Sequence, residues 1–140
     1  MEEEYIFPVL ASSGQYAGLI RTLAEQHDAA ICITDKILSI LDVNATDGIM
    51  GRSRLIKLMA DFIRMYEPHS AREDTVIFPA FQQITTPERY RRLGRQFKKM
   101  EEEKFGPDGF AKIIWQVSEI EKTLGIHTLS RFTAPCQNAK

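Results

Sequence analysis

His69 and Glu73 stand four residues apart, Pro68 directly precedes the histidine, and an Ile-Phe-Pro run at residues 77–79 follows. On a helix that spacing puts the imidazole and the carboxylate on one face, one turn apart. The face is apolar, since Leu55, Met59, Phe62, Tyr66, Val76 and Ala80 share its three-and-four spacing. His27 lies on a second apolar stripe with Tyr16, Ile20, Leu23, Ala30, Thr34, Ile37 and Leu41. Polar groups aimed into a core must be satisfied there. A core histidine held by a hydrogen bond, a His/Glu ion pair, and a metal shared by imidazole and carboxylate all meet that need. Helical bundles build metal sites from such inward side chains, and the donor set suits iron, zinc or manganese.

The elements that must carry these residues read as helices. Ser12-Ser13-Gly14 precedes a long helix over about 15–41, and 42–48 has loop chemistry. A second long helix is predicted over about 50–83, loosened at Pro68 and ending near Pro79. Thr86-Pro87 opens a third, running to about Phe105, because a capping hydroxyl precedes proline at the first helical position. After Gly106-Pro107-Asp108-Gly109 a fourth helix carries Phe110, Ile113, Ile114, Val117, Ile120 and Leu124, and Gly125 caps it. Residues 127–140 read as an extended or frayed tail. No stretch alternates for long, so the fold class is all-α and residues 1–140 read as a single domain.

Composition narrows the function classes. The chain has 140 residues, 44% hydrophobic and 26% charged, with a formal net charge of −1. That suits one globular domain with its own core and provides no basic field for nucleic acid or an anionic membrane. The arginines at 89, 91, 92 and 95 form a local cluster without interleaved aromatics, and Glu101-Glu102-Glu103 is offset by Lys98, Lys99 and Lys104; both read as solvated surface. No apolar run spans a bilayer and the acidic start is unlike a signal peptide, so no membrane association is expected. Cys32 reads as a core thiol and Cys136 falls in the tail; with no zinc or redox spacing, a cytoplasmic protein is expected. His127 follows a helix end and reads as exposed. No phosphate loop, nucleophile elbow or further proton-handling group points to an enzyme.

The chain also repeats itself once. Glu2-Glu3-Glu4-Tyr5-Ile6-Phe7-Pro8 echoes Glu73-Asp74-Thr75-Val76-Ile77-Phe78-Pro79. The echo suggests that the chain opens at the end of a helix equivalent to its second long one.

Residues 62–81, with Pro68-His69, the His-x3-Glu spacing and the following Ile-Phe-Pro, resemble the hemerythrin-like, or HHE cation-binding, family. Glu25-Gln26-His27-Asp28 is similar to that family's preceding helix, and Lys104-Phe105-Gly106 with the helix after it is similar to the C-terminal part of longer bacterial members. The resemblance implies a four-helix bundle around a non-haem di-iron site. It implies His27 as a third-helix ligand, His69 and Glu73 as fourth-helix ligands and, through the echo, Glu2 as the second-helix glutamate. It also implies departures: the family's first helix and most of its second are lacking, with their histidines, and Glu102 stands where longer relatives often have another histidine.

The resemblance therefore implies a hemerythrin-like metal-binding protein, with one or two non-haem iron ions and dioxygen or another small diatomic as a ligand to bind or sense. The retained unit occurs once per chain, so a two-fold homodimer would restore four helices and bring the residue set together twice. The alternative is a degenerate, metal-free helical interaction module that has lost part of the site.

Overall fold

The computed structural model describes residues 1–42 and 48–133, and among these it contains helices and turns but no strand. A π-helical turn, π1 (Glu2–Ile6), runs into α1 (Phe7–Ala11). The long helices α2 (Ala17–Asp42) and α3 (Ile49–Arg72) follow. A second π turn, π2 (Glu73–Ile77), runs into α4 (Phe78–Ile84), and α5 (Pro87–Phe105) and α6 (Gly109–Leu124) complete the set before a 3-10 turn at Leu129–Phe132. The chain divides into two compact units, Met1–Tyr90 and Arg91–Lys140.

The sequence expectations hold for most element ends. Thr86 Oγ1 accepts the Arg89 backbone N–H at 3.3 Å, so the hydroxyl caps α5 as its position before Pro87 implies. Gly125 ends α6 with φ of 70°, a left-handed conformation that favours glycine. The expected loop at 42–48 and tail at 127–140 lie partly outside the described residues, as does Cys136; His127 is exposed, and the 3-10 turn occupies part of the tail.

Three expectations are corrected. The second long helix does not continue evenly to residue 83. It passes through Pro68, then widens into π2 before Pro79. Proline donates no backbone hydrogen bond and crowds the carbonyl four residues back, and a turn with one extra residue relieves that conflict. The wider turn also moves the apolar stripe by one position: Ile77 is fully buried, whereas Val76 is half-buried. Cys32 is exposed rather than a core thiol, because it lies off the face of α2 that carries Ile20, Leu23 and His27.

The core of the first unit sits at one end of the α2–α3 pair. Ile6, Phe7 and Leu10 from the first π–α segment, Ile20 and Leu23 from α2, and Ile77, Ala80 and Phe81 from the second are buried, with only Ile40 buried at the far end of α2. Along the rest of α2 and α3, Ile31, Leu38, Ile56, Met59 and Ile63 are exposed. In the second unit α6 is amphipathic as its spacing predicts, with Phe110, Ile113, Ile114, Val117, Ile120 and Leu124 exposed.

The sequence echo has a structural counterpart. Both copies form a π turn followed by an α-helix with proline in its first turn. Ile6 and Ile77 are buried at matching places, as are Leu10 and Phe81.

Candidate metal centre

Three elements converge on the buried end of α3. His69 arrives on its last turn, 2% exposed, and Glu73 opens π2, 6% exposed. His27 comes from the middle of α2, and π1 brings Glu2 and Glu3 alongside it. His27 Nε2 lies 3.1 Å from His69 Nε2. Glu73 Oε1 is 3.3 Å from His69 Nε2 and 3.6 Å from His27 Nε2. Glu2 Oε2 stands 3.7 Å from His27 Nε2 on the more open side. The structure thus brings together all four residues singled out from the sequence. His27, His69 and Glu73 form a cluster able to offer one ligand atom each.

Two further residues complete the arrangement, and the apolar spacing gave no sign of them. His27 Nδ1 donates to the Glu3 carboxylate at 2.7 Å, and His69 Nδ1 donates to the Gln26 amide oxygen at 3.0 Å. Gln26 and Glu3 lie next in sequence to His27 and Glu2, off the inward stripes. Each reaches the histidine of a neighbouring element. Aromatic rings fix the imidazole planes: Phe7 stacks on His27 at 5.9 Å between centroids, Tyr66 on His69 at 5.3 Å, and Phe62 on Tyr66 at 5.3 Å.

The chemistry of the centre follows from these contacts. With each Nδ1–H donated outward, neutral rings would turn both Nε2 atoms inward as lone pairs, and a carboxylate oxygen only accepts. Three acceptors meet, and Glu73 Oε1 is buried without a hydrogen-bond partner among the described residues. A proton shared between the rings would make one of them cationic. Burial, with His27 beside it, opposes this at His69 and holds its pKa below the usual imidazole value, although Glu2 pulls the other way. Burial first, then the Glu2 and Asp74 carboxylates, raise the Glu73 pKa, against the lowering effect of His27. A cation at the centre would satisfy all three atoms at once. Nitrogen and oxygen ligands about 2.1 Å from a metal, at 90–110° to one another, lie about 3.0–3.4 Å apart. The 3.1 and 3.3 Å separations fall in that range and 3.6 Å is slightly wide. The donor set and its spacing fit a metal ion.

The match to known proteins agrees with that geometry. Residues 1–81 fit the model of the hemerythrin HHE cation-binding domain. The chain belongs to the hemerythrin HHE family. The matched span ends at the buried Phe81, within α4 of the second π–α segment. Relatives extend further along the chain. "Uncharacterized protein Mb2018" of Mycobacterium bovis and "Uncharacterized protein Rv1995" of Mycobacterium tuberculosis are each 38% identical over 133 residues, covering 95% of this chain and 52% of the relative. The chain spans about half the length of these curated relatives. No solved structure matches. No helix among the described residues is long and apolar enough to cross a membrane.

On its open side the centre borders a groove of about 580 Å³, walled by Glu2 and Glu3 from π1, His27, Ile31 and Asp35 from α2, and Phe62 and Tyr66 from α3, among others.

Proposed function

We propose that this hemerythrin-like chain binds non-haem iron through His27 Nε2, His69 Nε2 and Glu73, with Glu2 as a further carboxylate. The observation that carries the reading is the convergence of the two imidazole Nε2 atoms on the buried Glu73 Oε1, which has no hydrogen-bond partner among the described residues. The lowered pKa of His69 favours the neutral ring that a metal requires. Iron so held would supply binding of dioxygen or another small diatomic. The chain's own part is to hold the donors, to screen the inner side with Phe7, Leu23 and Ile77, and to leave the groove side accessible. We place this function in the cytoplasm on the cysteine pattern alone. Anaerobic titration with ferrous ion, followed by elemental analysis, tests the metal. Stoichiometric iron that is lost in His69→Ala is the expected result. No iron in the intact protein overturns the reading.

A second copy of the chain belongs to the same proposal. The apolar face of α2 and α3 extends the groove away from the centre, and the two helices are oppositely charged. α2 carries Glu25, Asp28, Asp35 and Asp42 against Arg21 and Lys36, whereas α3 carries Arg52, Arg54, Lys57, Arg64 and Arg72 against Asp61 and Glu67. A two-fold pairing that lays α2 on the partner's α3 matches acid to base and makes four helices. Light scattering should give a dimeric mass, and Ile63→Glu should return it to the monomer. A monomer that binds iron normally removes the second copy and leaves the metal site standing.

A further inference from the structure

We propose that Glu3 and Gln26 are positioning residues of this centre, holding both imidazoles in the Nδ1–H form so that only Nε2 remains for a cation. The inference rests on the metal-binding reading for its purpose and on the hydrogen bonds alone for its geometry. A neutral imidazole has one donor and one acceptor nitrogen, and the bond made by one nitrogen sets the role of the other. One turn on from His69 the Glu73 carboxylate meets Nε2 and not Nδ1, so that contact cannot hold the proton at Nδ1. Each histidine is served from an earlier element of the chain: Glu3 of π1 serves His27 of α2, and Gln26 of α2 serves His69 of α3. The ring stacking by Phe7 and Tyr66 sets the plane of each imidazole but cannot choose which nitrogen carries the proton. That choice falls to the two oxygen acceptors.

The two acceptors are unequal in a useful way. Glu3 is a carboxylate, so its bond to His27 is charge-assisted and short at 2.7 Å, but its side chain is 55% exposed and water competes for it. Gln26 is neutral, and its 3.0 Å bond to His69 lies in a partly buried place beside a histidine that is 2% exposed. Water is poorly able to replace it there, so its removal leaves a buried ring nitrogen without an acceptor. The larger effect is therefore expected at Gln26, although it carries no charge. Outer partners of metal-binding histidines are commonly worth 10–100-fold in metal affinity. Gln26→Leu should fall toward the upper end of that range and Glu3→Leu toward the lower.

The test uses the full chain. Cobalt(II) affinity is measured by chelator competition in the wild type, Glu3→Leu, Glu3→Gln, Gln26→Leu and Gln26→Glu, with circular dichroism to check that each variant is folded. The leucine variants should bind about 10–100-fold more weakly. Glu3→Gln and Gln26→Glu keep an oxygen acceptor and should stay within a few-fold of the wild type. Long-range nitrogen–proton NMR of the histidine rings in the metal-free wild type reads the protonated nitrogen directly, so a variant that fails to fold does not end the test. Nδ1–H on both rings supports the proposal; Nε2–H on either ring, or leucine variants with wild-type affinity, overturns it. A wild type that binds no cobalt while showing Nδ1–H rings defeats the metal reading and leaves the positioning geometry intact.

Discussion

Residues 2–11 and 73–84 carry one short pattern and take one backbone, a π turn leading into an α-helix with proline in its first turn, yet their leading glutamates differ. The Glu73 side chain is 8% exposed and its pKa is raised by burial; that of Glu2 is 35% exposed. Glu73 follows α3 directly and lies 3.3 Å from His69 of that helix, whereas Glu2 lies 3.7 Å from His27 on the side open to the groove. A local motif can thus set the backbone while the packing around it decides whether the carboxylate is withheld from water. The affinity of a carboxylate for a cation, and its cost when no cation is bound, both grow with that burial.

The difference can be tested by making the same change in both copies. The largest effect should be on metal affinity. Glu73→Gln should weaken cobalt binding by more than the 10–100-fold typical of an outer partner, while Glu2→Gln should cost only a few-fold. Equal losses at both positions would mean that the carboxylates serve the site alike despite their burial. The next effect is on packing. Ile77→Ala should cost about 3–4 kcal/mol in urea unfolding, and Ile6→Ala about 2, within the usual range for buried isoleucine. Ile77 is 0% exposed and Ile6 6%, so the larger cavity is expected at Ile77. The smallest effect has the opposite sign. In metal-free protein Glu73→Gln should stabilise the fold by about 1–2 kcal/mol, because an unpartnered buried carboxylate oxygen is replaced by a neutral amide. Glu2→Gln should leave it nearly unchanged. A Glu73→Gln variant that is less stable than the metal-free parent would show that the carboxylate is satisfied in a way the geometry does not include.

Much of this was readable in the sequence because helical spacing is regular. The stripes through His27 and His69 pointed inward, and the echo of residues 2–8 in 73–79 implied that the chain opens on a helix end like that of its second long helix. What escaped has two physical causes. A π turn adds one residue without leaving a compositional mark, so the stripe expected at Val76 moved to Ile77. Glu3 and Gln26 contact histidines of other elements, and spacing within one helix carries no information about its neighbour's side chains. The far parts of the α2 and α3 stripes failed differently: Leu41, Met59 and Thr34 lie on the expected spacing but are exposed, because among the described residues most of the packing that buries such a stripe is supplied at the end where the π–α segments dock.

The contact between His27 and His69 joins residues 42 positions apart. An ion held by both would act as a chain staple, reducing the freedom of the unfolded polymer as a cross-link does. For a loop of that length the chain-entropy model gives about 4 kcal/mol at 25 °C. That approaches the lower end of the usual stability of a folded domain, about 5–15 kcal/mol. The loaded and stripped forms would then differ in melting temperature as well as in ligand chemistry, and the supply of metal would set how long a newly made chain survives proteolysis.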